Sequence, residues 1–133
     1  MRAAPLSVAG PSVGAMSPVH HTIDYIEIST GDLAAARSFY ERAFGWAFND
    51  YGPTYAGIRA ASGYGEVGGL DATGAPGPGG PLVLLFSDDL DATLAAVEAA
   101  GGTVTARPYE FPGGRRFEFS DPDGNVLGVW ATS

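Results

Sequence analysis

The feature that most constrains the fold of this chain is an internal repeat with an offset of 57 residues. At this offset Tyr25 and Leu82 occupy equivalent places in two predicted strands. The pairs Asp32-Leu33 and Asp89-Leu90 each open a predicted helix, and Gly45 and Gly102 each close one. Each half predicts the order β-α-β-β-β. Because one such half cannot bury its sheet alone, the two halves must share a core.

The repeat predicts an α+β fold, with two tandem βαβββ modules that form a curved mixed sheet around a cavity and with the helices outside. The modules cover about residues 22–70 and 80–131 of one domain, 21–131, and the glycine- and proline-rich segment 71–79 is the predicted linker. Residues 1–20 predict an N-terminal tail, in which Met16 is an alternative start. The predicted strands and helices are Ile23–Ile28, Leu33–Phe44, Trp46–Phe48, Tyr55–Ala60, Val67–Leu70, Leu82–Phe86, a helix from Leu90, Thr103–Ala106 and the C-terminal hairpin.

Composition excludes several classes of function. The chain contains no cysteine, which excludes disulfides and thiolate metal sites. Its formal charge of −8 argues against nucleic acid as a partner. The same charge permits a cationic small molecule, or it serves solubility alone. No stretch approaches the ~20 apolar residues of a membrane span, and no secretory signal is evident, so we expect no membrane partner and a cytoplasmic location.

The segment Phe111–Trp130 predicts a hairpin closed by a tight turn at Asp121–Gly124, because proline and glycine there have turn-forming dihedral angles. Residues 115–119 alternate charged and aromatic side chains. This alternation is typical of a half-buried strand, and it places Arg116 and Glu118 on one face.

Three stretches of the sequence resemble the vicinal oxygen chelate superfamily, which includes glyoxalase I, bleomycin-resistance proteins and extradiol dioxygenases. They are YIEISTGDL, FYERAFGW and FEFSDPDGNVLGVW. The resemblance covers about residues 22–131. More narrowly, IDYIEI together with FPGGRRFEFSDPDGN resembles small bacterial single-domain members of unassigned activity. The resemblance implies two βαβββ modules around a U-shaped cavity, and a homodimer.

In metal-dependent members of that superfamily, a histidine opens the first strand of a module and a glutamate lies in the last strand. The repeat places Tyr25 and Leu82 at the first position, and Gly128 and Gly68 at the second. None of these residue types is a plausible ligand for a divalent metal. We therefore expect no metal site and no cofactor.

The adjacent histidines His20 and His21 are the remaining candidates for metal binding. Neighbouring side chains on an extended chain point in opposite directions and do not converge on one ion. We expect both histidines to be exposed polar residues.

Strand parity selects the candidate site residues. If Ile26, Ile28, Phe117 and Phe119 pack under the helices, the residues between them face the cavity, which would be largely apolar with a few polar groups. The candidate catalytic residues are Glu27, Tyr25 and Glu118. The candidate substrate-binding residues are Arg116, Tyr51, Tyr55, Phe86 and Trp130. For the tyrosines and for Trp130, core or edge packing is the competing interpretation.

Two carboxylates in one apolar cavity suggest acid/base chemistry, since a low dielectric favours the neutral form of one of them. Glu27 would be the base, and Tyr25 or Glu118 the acid, in an isomerase-, cyclase- or lyase-type reaction on a small apolar or aromatic metabolite. Alternatively, Glu27 and Arg116 form a structural ion pair, or Arg116 holds a substrate anion. The competing functions are drug sequestration without catalysis and a metal-dependent glyoxalase or dioxygenase activity.

Overall fold

The computed structural model describes residues 18–133, so most of the predicted tail lies outside the described residues. The described elements, in chain order, are β1 (Ile26–Ser29), α1 (Leu33–Phe44), β2 (Phe48–Asp50), β3 (Tyr55–Arg59), β4 (Glu66–Asp71), β5 (Val83–Phe86), α2 (Leu90–Ala99), β6 (Thr103–Phe111), β7 (Gly114–Ser120) and β8 (Val126–Ala131). The order β-α-β-β-β therefore occurs twice, which confirms the α+β class and the two modules. Neither helix is long and apolar enough to cross a bilayer.

The repeated aspartates cap both helices as predicted. Asp32 Oδ1 accepts a hydrogen bond of 3.0 Å from the backbone N–H of Ala35, and Asp89 Oδ1 accepts one of 3.1 Å from Ala92. Each bond satisfies an amide that lacks a partner in the first helical turn. Gly45 closes α1 in the left-handed conformation, at φ 72°.

Each module contains one mixed four-stranded sheet, in the order β1-β4-β3-β2 and β5-β8-β7-β6. The first strand of each module pairs in parallel with the last, and the remaining pairs are antiparallel. Strands β1 and β5 are edge strands, so the predicted curved sheet is divided into two. We call the face of each sheet that packs against the helices its inner face, and the opposite face its outer face.

One hydrophobic core joins the inner faces of both sheets to the two helices, which pack on each other. Phe39 of α1 is fully buried, and its ring lies 6.1 Å from that of Phe119 in β7. Ile28 and Phe117 belong to the same core, which confirms the predicted strand parity. Because side chains alternate along a strand, Glu27, Arg116 and Glu118 lie on the outer faces.

The turn between β7 and β8, residues 121–125, ties the second module to the first. Asp121 is buried, and its carboxylate accepts a 2.7 Å hydrogen bond from the hydroxyl of the fully buried Tyr40. Burial, followed by the nearby charge of Asp121, raises the pKa of Tyr40, so this hydroxyl stays a proton donor. Asp123 and Asn125 make further bonds to the end of β1 and the start of α1, namely Thr30 Oγ1 to Asp123 at 2.6 Å, Gly31 N to Asp123 at 2.8 Å and Asn125 Nδ2 to Ser29 O at 2.7 Å.

Candidate functional site

The outer face of the first sheet contains a tyrosine–carboxylate cluster, made of Tyr25, Glu27, Asn49, Tyr51, Tyr55 and Glu66. The hydroxyl of Tyr55 donates to Glu27 Oε2 at 2.9 Å. The hydroxyl of Tyr25 lies 2.9 Å from that of Tyr55 and donates to Glu66 Oε1 at 3.0 Å. A continuous chain of oxygen atoms therefore connects the two carboxylates through two phenols.

Glu66 accepts hydrogen bonds from three side chains of this cluster and is absent from the residues that the sequence pattern predicts. Its Oε2 accepts from Asn49 Nδ2 at 2.8 Å and from the hydroxyl of Tyr51. Counting in twos from the inner-face residue Gly68 would put Glu66 on the inner face. A register shift between β3 and β4 instead pairs Glu66 with Arg59 and turns it to the outer face. The one available signal is a lone acidic residue at the start of a glycine-rich strand.

Two glycines form the floor beneath the cluster. A Cβ atom at Gly57 would lie 2.3 Å from Oε2 of Glu66, and one at Gly69 would lie 2.0 Å from the hydroxyl of Tyr55. Both distances are far shorter than a van der Waals contact. The glycines therefore allow the carboxylate and the phenol to lie directly on the sheet.

The phenols of the cluster are proton donors at neutral pH. The hydrogen bond to Glu66 raises the pKa of Tyr51 to about 12. Burial, followed by the hydrogen bonds to Tyr25 and Glu27, raises the pKa of Tyr55. From Glu27 to Glu66 there are three oxygen–oxygen contacts, but Tyr55 and Tyr25 supply only one proton each.

The outer face of the second sheet contains a different polar group. Arg116 Nε donates to the hydroxyl of Tyr109 at 2.6 Å, and that hydroxyl donates to Glu118 Oε2 at 2.7 Å. The Arg116 guanidinium lies 5.3 Å from the ring centroids of Tyr109 and Phe111. Arg116 takes part in none of the ion pairs within residues 18–133. The predicted Glu27–Arg116 ion pair is therefore wrong, because Arg116 is held within its own module.

Apolar side chains extend this outer face towards edge strand β5. The rings of Phe86 and Phe111 meet that of Trp130 edge-on, at centroid distances of 5.0 Å and 6.1 Å. Leu84 and Phe86 are 37% and 54% exposed, respectively. We call this set, together with Leu82, the aromatic patch.

The structure therefore places the predicted site residues in two groups. Tyr25, Glu27, Tyr51 and Tyr55 belong to the tyrosine–carboxylate cluster, whereas Arg116, Glu118, Phe86 and Trp130 lie on the second sheet. Glu27 and Glu118 each accept a hydrogen bond from a tyrosine of their own module. The expected approach of these two carboxylates is therefore replaced by a different pairing, in which Glu27 is linked to Glu66.

The positions that correspond to family metal ligands carry no ligating groups. Strand register pairs Glu27 with Gly69 and Leu84 with Gly128, so Gly69, rather than Gly68, is the counterpart of Gly128. A Cβ atom at Gly128 would lie 2.5 Å from Leu84 Cδ2, so Leu84 covers this glycine as Tyr55 covers Gly69. The residues at these positions do not fit a divalent metal site.

The histidines do not supply such a site either. His20 and His21 are both exposed, with stacked rings 3.8 Å apart. No group of three or more His, Asp or Glu side chains in residues 18–133 is arranged to hold a metal ion.

Comparison with known proteins identifies relatives over most of the chain. The family model described as the Glyoxalase/Bleomycin resistance protein/Dioxygenase superfamily matches residues 22–129. A Mycobacterium tuberculosis protein named "Putative glyoxylase CFP32" is 36% identical over 114 residues, which are 81% of this chain and 43% of that protein. The anthracycline biosynthesis protein DnrV of Streptomyces peucetius is 31% identical over 116 residues, which are 81% of this chain and 40% of DnrV. The chain thus spans less than half the length of these relatives.

Among solved structures, TnmS3, an antibiotic-binding protein from Streptomyces sp. CB03234, superposes with a TM-score of 0.65 at 27% identity. The match covers 88% of this chain and 100% of TnmS3. The order of elements and the two-module architecture are therefore those of a known fold.

Proposed function

Because the chain belongs to the Glyoxalase/Bleomycin resistance protein/Dioxygenase superfamily, we propose that it binds a small, partly aromatic molecule on its outer faces and transfers a proton on that molecule without a metal. The observation that carries the proposal is the chain of oxygen atoms from Glu27 through Tyr55 and Tyr25 to Glu66. Such a chain both accepts and donates protons, which is what acid/base catalysis requires.

The outer face of each sheet offers a different kind of contact for such a ligand. The tyrosine–carboxylate cluster supplies hydroxyl and carboxylate groups, and the rings of Phe111 and Trp130 on the second sheet supply apolar ring faces. Pockets that bind small molecules commonly combine a largely apolar lining with a few fixed polar groups. TnmS3 is described as an antibiotic-binding protein, and DnrV is named as an anthracycline biosynthesis protein. These names support an aromatic metabolite of similar kind as the ligand here.

The cluster suggests how the proton would move. Glu27 would take a proton from a carbon of the ligand, and Tyr25 would return one at a neighbouring atom. Tyr55, which lies between them, would pass a proton from Glu27 towards Tyr25. One bond to hydrogen breaks and one forms, so the step is an isomerisation and needs no other reactant.

Replacement of Glu27 by glutamine tests this role, because it removes the base and keeps the size of the side chain. A screen by mass spectrometry for molecules that co-purify with the protein would supply the substrate. Turnover is expected to fall by roughly 10²-fold or more in E27Q. E118Q, in which the changed residue lies on the other sheet, is the matched control and should lose less. Equal turnover in E27Q and wild type would remove Glu27 from the mechanism.

Sequestration without catalysis is the second candidate function, and the antibiotic-binding function of TnmS3 favours it. The charge of −8 would attract a cationic drug. The two functions differ in the fate of the ligand. Recovery of an unmodified ligand after prolonged incubation would support sequestration, and recovery of an isomer would support catalysis.

We further propose that the protein is a homodimer. Leu82, Leu84 and Phe86 expose apolar area on edge strand β5, and within residues 18–133 neither the strand edge nor these side chains are covered. A second copy would cover both. Light scattering should give twice the 13.6 kDa mass of the chain, and F86D should reduce it to one chain.

A further inference from the structure

A cavity of about 700 Å³ lies on the inner side of both sheets, away from the tyrosine–carboxylate cluster. Its lining includes Ile26 and Ile28 of β1 and Val83 and Leu85 of β5. These residues alternate with Glu27 and Leu84, whose side chains lie on the outer faces. The cavity is therefore separate from the site proposed above.

The cavity results from a difference between equivalent turns of the two modules. The β7–β8 turn reaches the first module with long polar side chains and bonds to it. The β3–β4 turn faces β5 of the second module, but Ala60, Ala61 and Gly63 are too small to fill the space between them. Hydrogen bonds of this turn stay within it, from Ala60 N to Gly65 O and from Gly63 N to Ala60 O. The β7–β8 turn therefore closes the gap between the modules with polar side chains, whereas the gap beside the β3–β4 turn stays open.

The lining of the cavity is pre-formed and apolar. Trp46 stacks on the buried ring of Tyr40 at 4.6 Å and 11°, which fixes the position of the indole. Ile28 and Ile58 belong to the core and are 8% and 5% exposed. Arg59 is the one charged residue among those that line the cavity. Pockets that bind drug-sized molecules have volumes of roughly 300–1,000 Å³, and this one lies within that range.

We propose that this cavity is a second binding site, which takes a small uncharged apolar molecule. The cavity is open to solvent, since Ile26 and Val67 in its lining are 38% and 46% exposed. Water inside it would meet mostly apolar groups, so an apolar molecule that displaced this water would gain free energy. A chain segment that paired with the open edge of β1 or β5 is the competing occupant, and the light-scattering measurement below detects it when it comes from a second copy.

The neutral fluorescent probe N-phenyl-1-naphthylamine tests the proposal on the full-length protein. Saturable binding is expected, with a rise in probe fluorescence. Val83→Phe would place a ring in the cavity and should raise the dissociation constant at least tenfold. Leu84→Phe, at the next residue but on the outer face, alters the aromatic patch and reports any probe bound there. Val19→Phe, at a valine that is 64% exposed and outside the cavity lining, is the matched control and should bind the probe as wild type does.

A second variant covers the case in which Val83→Phe does not fold. Ile26 is 38% exposed at the edge of the cavity, so Ile26→Phe should fold. It should also weaken binding of the probe. Thermal unfolding by circular dichroism confirms that each variant is native.

Three outcomes would overturn the proposal. One is the absence of saturable binding to the wild-type protein. Another is loss of binding in Leu84→Phe but not in Val83→Phe, which would assign the probe to the outer face and leave the first proposal intact. The third is a change of mass in Val83→Phe by light scattering, which would make the cavity a contact between two copies.

Discussion

The two modules have the same order of elements but different chemistry at equivalent places. At the turn between the third and fourth strands, the second module has buried polar side chains and the first module has alanine and glycine. On the outer face, the first module has two carboxylates linked through phenols, whereas the second has an arginine and the aromatic patch. In this chain both modules bury an apolar inner face in one core, whereas their turns and outer faces differ.

The largest expected effect on stability comes from removing the buried carboxylate of Asp121, which has no counterpart in the β3–β4 turn. Asp121→Ala would leave the buried hydroxyl of Tyr40 and the amides of Asp123 and Asn125 without an acceptor. The free energy of unfolding, measured by urea denaturation, should fall by roughly 3 kcal/mol. Ser62→Ala, in the equivalent turn of the first module, should change it by less than about 0.5 kcal/mol. Similar losses in the two variants would remove the distinction between the turns.

The next largest effect on stability is expected at the glycines beneath the two outer faces, Gly69 and Gly128. In Gly69→Ala the new methyl would meet the hydroxyl of Tyr55, which is buried and hydrogen-bonded, and unfolding should become easier by about 2 kcal/mol. In Gly128→Ala its closest contact would be the end of Leu84, which is 37% exposed and free to change rotamer, and the backbone oxygen of Phe117 would lie at a tight but tolerable 3.2 Å. The loss there should be smaller. A Gly128→Ala variant as unstable as Gly69→Ala would show that Leu84 is held as firmly as Tyr55.

A smaller effect separates Glu66 from Glu118, one tyrosine-bonded glutamate on each sheet. Glu66 accepts from three side chains and Glu118 from one. Glu66→Gln keeps an acceptor oxygen but loses the charge, and its free energy of unfolding should fall by about 1 kcal/mol. Glu118→Gln should lose roughly half as much. The reverse order would mean that the cluster on the first sheet contributes little to the fold.

The smallest effect concerns alkaline pH. The folded state holds the pKa of Tyr51 at about 12, above its ordinary value of 10.0. A raised pKa stabilises the folded protein fully below pH 10, and this contribution is lost as the pH rises from about 10 to about 12. Stability should therefore fall over that window in the wild type, and less steeply in Tyr51→Phe. Identical pH profiles would show that Tyr51 has no bond to Glu66 in solution.

Much of the fold could be predicted because the repeat constrains both halves at once. The predicted helix Leu33–Phe44 has the observed bounds, and the two capping aspartates act as expected. Strand parity placed Glu27 and Glu118 on outer faces because alternation survives small errors in the strand ends. These features depend on local residue patterns, which a single sequence contains.

The hydrogen-bond partners within the site could not be predicted, because they depend on strand register. Glu66 lies on the outer face only because the pairing of β3 with β4 shifts beside it. Tyr109 was missed because β6 was expected to end at Ala106, before Pro108. The strand continues to Phe111, since β6 is an edge strand and tolerates a proline where the register shifts.

Tyr40 connects the two ends of the molecule. Its hydroxyl is bonded to Asp121 in the turn that joins the modules, and its ring is stacked on Trp46 beside the open cavity. A molecule that displaced Trp46 would disturb the same side chain that anchors the turn, some eighty residues away along the chain. A ligand in the cavity and the turn that joins the modules therefore both act on Tyr40, so binding in the cavity would change how firmly this turn is held.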